Sequence, residues 1–175
     1  QDCNDSDAIT CVGDRTYEDA EHCIVITGSL TIQASSATDL SRLHTLEEVG
    51  GSVTIRENEY LTSVDIPNLR QIGGEFYYLS NFEVTRIHLD QINHVGDRFW
   101  ISAAKVTSLS VPNLITVGTD MNISGLRSTI IELESLEEVG NYFGIAGMVI
   151  SIIVTFLSIG NFGEGFIYVL VFLLI

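Results

Sequence analysis

Three cysteines and four histidines are the residues of this chain best suited to chemistry, and their spacing restricts what that chemistry is. Cys3, Cys11 and Cys23 crowd the first 23 residues, and no cysteine follows. The intervals of seven and eleven residues between them match no Cys/His ligand pattern, and only His22 lies close by, so no metal site is expected. The clustering reads instead as a disulfide staple over one exposed end of the molecule. An odd cysteine is left over, either free or paired with a partner chain. His22, His44, His88 and His94 are scattered without matched acidic partners, and the Gly-x-Ser-x-Gly, His-Glu-x-x-His and P-loop motifs are absent. Gly160-Asn161-Phe162-Gly163-Glu164-Gly165 is glycine-rich but has the wrong spacing for a phosphate loop. Neither a catalytic residue nor a cofactor is expected.

Charge narrows the partners further. The 175 residues carry 23 acidic and 8 basic side chains, Lys105 being the only lysine, for a net charge of −15. Such a chain repels phosphate backbones, which argues against nucleic acid, and the acidity reads more simply as solubility than as a recognition patch. The sequence opens on Gln1, which fits a cleaved secretory leader. Two sequons, at Asn4 and Asn122, would accept N-linked sugar in a eukaryotic secretory pathway.

The elements that hold these residues are repeats. A Val/Ile-Gly step recurs at Val49-Gly50, Ile72-Gly73, Val95-Gly96, Val117-Gly118, Val139-Gly140 and Ile159-Gly160, with Ile26-Thr27 as a degenerate first copy, so the period is 20–23 residues. A fixed period of this length marks a solenoid whose units cannot bury their apolar faces alone. After each Gly step, alternation sends a pair inward: Leu30 and Ile32, Val53 and Ile55, Phe76 and Tyr78, Phe99 and Ile101, Met121 and Ile123, Phe143 and Ile145. The second half of each unit adds sets such as Val64, Ile66 and Leu69. Two short strands and two turns fit each repeat, and β-branched residues with frequent Gly exclude helices. The corner Gly implies a positive φ or a close backbone approach. The expected fold is all-β, a parallel β-helix of about seven rungs. Residues 1–22 form the cap, 23–160 the repeats and 161–175 an apolar last rung or anchor. Residues 16–21 suit a short capping helix with Thr16 as N-cap and Asp19 three residues on.

The pattern Cys23-Ile24-Val25-Ile26-Thr27-Gly28-Ser29-Leu30-Thr31-Ile32, followed by Leu46-Glu47-Glu48-Val49-Gly50-Gly51 and by Pro67-Asn68-Leu69-Arg70-Gln71-Ile72-Gly73-Gly74, resembles the receptor L-domain family. These are right-handed β-helical modules of insulin- and EGF-type receptor ectodomains, with relatives among fungal and other microbial surface proteins. The resemblance runs from about Cys3 to Leu157. It implies that Cys23 bonds an upstream cysteine, Cys3 or Cys11, and that the chain is a non-catalytic extracellular recognition or wall module. The family's Asn before the second strand is matched by Asn58 and Asn81, then lost at Ala103-Ala104-Lys105 and Gly125-Leu126-Arg127.

Alternation places Thr31, Thr54, Tyr77, Trp100, Asn122 and Gly144 in one outward column, with Tyr77 and Trp100 stacked on adjacent rungs beside Glu75, Arg98 and Asp120. An exposed aromatic pair on a flat sheet suits a protein hot spot or a sugar ring, while cover by a loop, or cross-strand packing that merely stabilises the sheet, would explain it equally. A glycan on Asn122 would emerge on this same face. The apolar end admits three readings: a membrane span, a GPI-anchor signal, or continuation of the repeat. Continuation is favoured because Val149 to Leu157 aligns with Val106 to Leu114 and Ile159-Gly160 keeps the period. Its uncapped apolar edge would meet another subunit, another domain or a membrane. The leading expectation is a secreted or surface-attached recognition or coat module. The alternative is a structural subunit that assembles end to end into a fibre or wall.

Overall fold

The computed structural model describes residues 9–127, 130–148, 153–154 and 167–172. Every strand pair in it is parallel, and the strands stack into three sheets. Two-residue strands form a seven-stranded sheet from Thr10–Cys11 to Glu138–Val139. A long sheet of eight runs from Arg15–Thr16 through Leu30–Gln33, Val53–Arg56, Phe76–Leu79, Phe99–Ser102, Met121–Leu126 and Phe143–Met148 to Ile167–Phe172. The third sheet has five strands, from Ser63–Asp65 to Ile153–Val154.

Each full repeat therefore carries three strands rather than two. The extra one is only two residues long, Glu48–Val49 in the first complete turn, and is hidden in the sequence inside the Val/Ile-Gly step. Among the described residues five turns have all three strands, beginning at Glu48, Gln71, His94, Thr116 and Glu138. Seven rungs are not reached within them. In the first coil a 3-10 turn, Ser41–Leu43, stands where later coils place the third strand. The final repeat of the expected seven lies largely outside the described residues, as do Cys3, Asn4 and most of the apolar C-terminal segment.

Register keeps like residues over like. Val53 pairs with Leu30 and Phe76, Phe99 with Phe76 and Met121, and all are fully buried or nearly so. Phe76 and Phe99 stack at 5.1 Å between centroids inside the core. The second-half sets of the following turns, Val64, Ile66 and Leu69 with Ile87, Leu89 and Ile92, are equally buried and close the other walls.

The corner glycines act through close approach, not through positive φ. A Cβ on Gly50 would lie 2.6 Å from the carbonyl oxygen of Thr27, and one on Gly73, Gly96, Gly118 or Gly140 would meet the carbonyl oxygen of the glycine one turn before. The opposite corner is held differently. Ala34, Glu57 and Ser80 occupy the left-handed region, and the next residues, Ser35, Asn58 and Asn81, turn inward and are buried. Asn58 donates through Nδ2 to the carbonyls of Ile32 and Arg56 and to Oδ1 of Asn81, and its own Oδ1 accepts from Ser35. Asn81 repeats the pattern toward Ile55 and Leu79. The ladder stops where Ala103 takes the place, and the corner reorganises around a bulge with Gly125 at φ +74° and Leu126 buried.

At the amino end no capping helix forms. Thr16 is drawn into the long sheet beside Thr31, and only a turn follows, closed by the Asp19 amide donating to the Thr16 carbonyl and by the Thr16 hydroxyl donating to the Asp19 carboxylate. Burial of Tyr17 and Ala20 against the core fixes that turn, as does the Tyr17 hydroxyl donating to the Asp39 carbonyl. A disulfide joins Cys11 to Cys23 with 5.8 Å between Cα atoms, tying the first short strand to the first coil.

Candidate functional site

Because the strands are parallel and in register, every second residue of the long sheet repeats at the same place on its outer face. Thr31, Thr54, Tyr77, Trp100, Asn122 and Gly144 are consecutive partners across five strand pairs, which is the expected column. Tyr77, Trp100 and Asn122 are each half-buried, their neighbours in the column leaving one side open to solvent. The stacked ring pair of these strands, however, is the inward Phe76–Phe99, and no ring contact joins Tyr77 to Trp100 among the described residues. The outward rings are adjacent surfaces, not a sandwich.

A second column one alternation further on runs Gln33, Arg56, Leu79 and Ser102. The flank of the sheet is built by side chains bonding along the stack. The Ser52 amide donates to Ser29 Oγ, the Glu75 amide donates to Ser52 Oγ, and Arg98 donates to Glu75 Oε1 at 2.8 Å. That hydrogen bond, with the charge of Glu75, pushes the Arg98 guanidinium further up from an already high pKa, so Arg98 stays charged. Asp120 instead accepts from Asn141 one turn on. Thr31, Ser52, Thr54, Arg56, Glu75 and Tyr77 line an open depression of about 440 Å³. Arg56 is the residue that sequence reading missed. It sits on a strand whose alternation was already legible, and the signal was its place one alternation after Thr54, beside Tyr77 on the same face.

Elsewhere the polar groups satisfy one another. His94 bonds Thr116, and His44 bonds the Ser41 carbonyl. His88 meets Ser108 Oγ at 3.0 Å while Ser110 donates to Asp90, which brings serine, histidine and aspartate together on the five-stranded sheet. The histidine ring has no carboxylate partner there, so the triad's base-orienting group is missing. Among the described residues no three His, Cys, Asp or Glu side chains are placed to hold a metal ion. No helix among them is long and apolar enough to cross a membrane.

Residues 22–120, more than half of the chain, match the profile of the Receptor L domain family. The chain belongs to the receptor L domain family. The matched span contains the Asn58–Asn81 ladder, the first four corner glycines and the whole Tyr77–Trp100 face. No curated protein and no solved structure matches this L domain.

Proposed function

We propose that this L domain is a non-catalytic recognition module, secreted or attached to a cell surface, that captures a ligand on the outer face of its long sheet. One observation carries the reading: Tyr77 and Trp100 stand side by side, half-exposed, on a rigid parallel sheet beside an open depression. Tyr, Trp and Arg are the residue types in which binding energy concentrates, because large rigid groups lose little entropy when immobilised. A protein ligand fits this composition best, and a sugar ring stacked on Trp100 is the other occupant the face could accept. Membership of the family and the Cys11–Cys23 disulfide support an oxidising, extracellular setting. A glycan on Asn122 would project from the same column and mask a large partner, so the capturing form is the one in which Asn122 is bare.

The test is affinity capture of extracellular proteins from the producing cells, followed by binding measurements on each identified partner. Trp100→Ala should weaken binding about a hundredfold while leaving the melting curve unchanged. Gln71→Ala, on the outer face of the seven-stranded sheet, should have no effect. Equal binding by both variants and the parent would exclude the long sheet as the site.

A structural role in an extracellular fibre or wall is the second reading, favoured by the strand Ile167–Phe172, which ends the long sheet among the described residues. Its backbone edge could template a further strand. Electron micrographs of native material showing fibres with an axial repeat of about one domain would favour it.

A further inference from the structure

We infer that the depression beside Tyr77 is a carboxylate-reading subsite, in which Arg56 takes an Asp or Glu side chain of a protein ligand whose neighbouring apolar residue packs on Tyr77 and Trp100. The inference rests on the recognition role of this face and names the chemistry it reads.

Charge pairing on the face leaves one guanidinium over. Arg98 is bonded to Glu75, so the carboxylate in the depression is already neutralised. Arg56, on the same lining, makes a single hydrogen bond, through one Nη to the side-chain oxygen of Gln33 at 2.9 Å, and no ion pair. Its Nε is buried without a partner, the one such side-chain nitrogen or oxygen among the described residues. Among the other cations, Arg70 pairs with Glu47, Lys105 with Glu83 and Arg42 with Glu21, none of them in this depression. Gln33 holds the Arg56 fork from one side and is itself anchored by donating to Glu57, which fixes the guanidinium before any ligand arrives. The Nε is enclosed, but the second Nη is neither bonded nor enclosed, and with the remaining N–H of the bonded Nη it gives a pre-held planar pair of donors that matches the two oxygens of a carboxylate.

Charge magnitude selects among anions. The chain carries −15 overall, and Glu57 stands one residue from Arg56, so a phosphate dianion meets more repulsion than a carboxylate and finds only one cation to offset it. The aromatic pair then asks for an apolar group next to the acid. A short peptide supplies both from adjacent side chains.

The experiment uses the full chain and three probes at millimolar concentration: N-acetyl-glutamyl-leucine amide, its glutaminyl analogue, and glucuronate. Nuclear magnetic resonance follows the Nε–H signal of Arg56, assigned by its loss in Arg56→Gln, and the indole N–H of Trp100, the only tryptophan in the chain. The glutamyl peptide should move both signals and bind about tenfold more tightly than the glutaminyl one. Arg56→Gln should erase that preference with the rest of the spectrum unchanged, and Arg56→Lys, which keeps the charge but not the fork, should restore only part of it. If both peptides move Trp100 equally and leave Arg56 still, the carboxylate subsite is wrong and the recognition face stands. If neither signal responds, both fall. A response to glucuronate alone would replace the peptide by an acidic sugar and overturn the inference as stated.

Discussion

Asn58 is the side chain on which the second corner turns. It is fully buried, and every polar atom of its amide is engaged, with carbonyls of two coils and with Asn81 and Ser35. Removing one partner from a buried network leaves the others unsatisfied, so Asn58→Ala should cost about 3 kcal/mol in chemical denaturation. Tyr78, buried two residues before the left-handed Ser80, offers a pH test. Burial pushes its hydroxyl well above the usual tyrosine range, more than the hydrogen bond to Asn81 pulls it back. A raised folded pKa means stability that is complete below about pH 10, where unfolded tyrosine ionises, and lost as pH rises through the folded value. Tyr78→Phe should therefore leave stability near neutrality almost unchanged and flatten the alkaline decline, read as melting temperature between pH 9 and 11. The inward partners of Tyr78 were legible because alternation is a property of single residues. Arg56 was not read as part of the site, since its importance depends on Glu75 being neutralised by a residue in another coil, a fact of pairing that spacing alone does not carry.

At the level of elements, the glycine corner is the most demanding feature. Gly96 and Gly118 each face the carbonyl oxygen of the glycine below, so a methyl there forces the coils apart in the direction of the stack. Gly96→Ala should destabilise by at least about 2 kcal/mol. Gly125→Ala, where the demand is a φ of +74° and the nearest carbonyl is 3.1 Å from the added carbon, should cost about 1 kcal/mol. Reversal of that order, measured by urea unfolding, would mean that backbone conformation and not coil spacing governs the corner. The period announced these glycines. It did not announce the two-residue strands next to them, because a strand such as His94–Val95 has no room for alternation and declares itself only through its partners in adjacent coils. The capping helix expected over residues 16–21 failed for a related reason: pairing of Thr16 with Thr31 outweighs a weak local N-cap preference.

As a whole the molecule is a one-dimensional stack, and its stability should be distributed accordingly. Each turn is held by its two neighbours, so amide exchange should be slowest in Phe76–Leu79 and Phe99–Ser102 and faster toward the amino end. The Cys11–Cys23 bond offsets that end effect by closing a loop of separation 12. Cys11→Ser with Cys23→Ser should remove about 3 kcal/mol and raise exchange first in Thr10–Cys11 and Val25–Ile26. The resemblance, read from about Cys3 to Leu157, held at this scale over residues 22–120, because family membership rests on the repeat itself. What the face captures is decided by a few side chains that the repeat merely carries. The most direct measurement of the account is acrylamide quenching of Trp100, which as the only tryptophan reports on the face without labelling. An open recognition face predicts ready quenching and an emission maximum toward that of solvated indole; blue-shifted emission that resists quencher would show the ring packed away and contradict it.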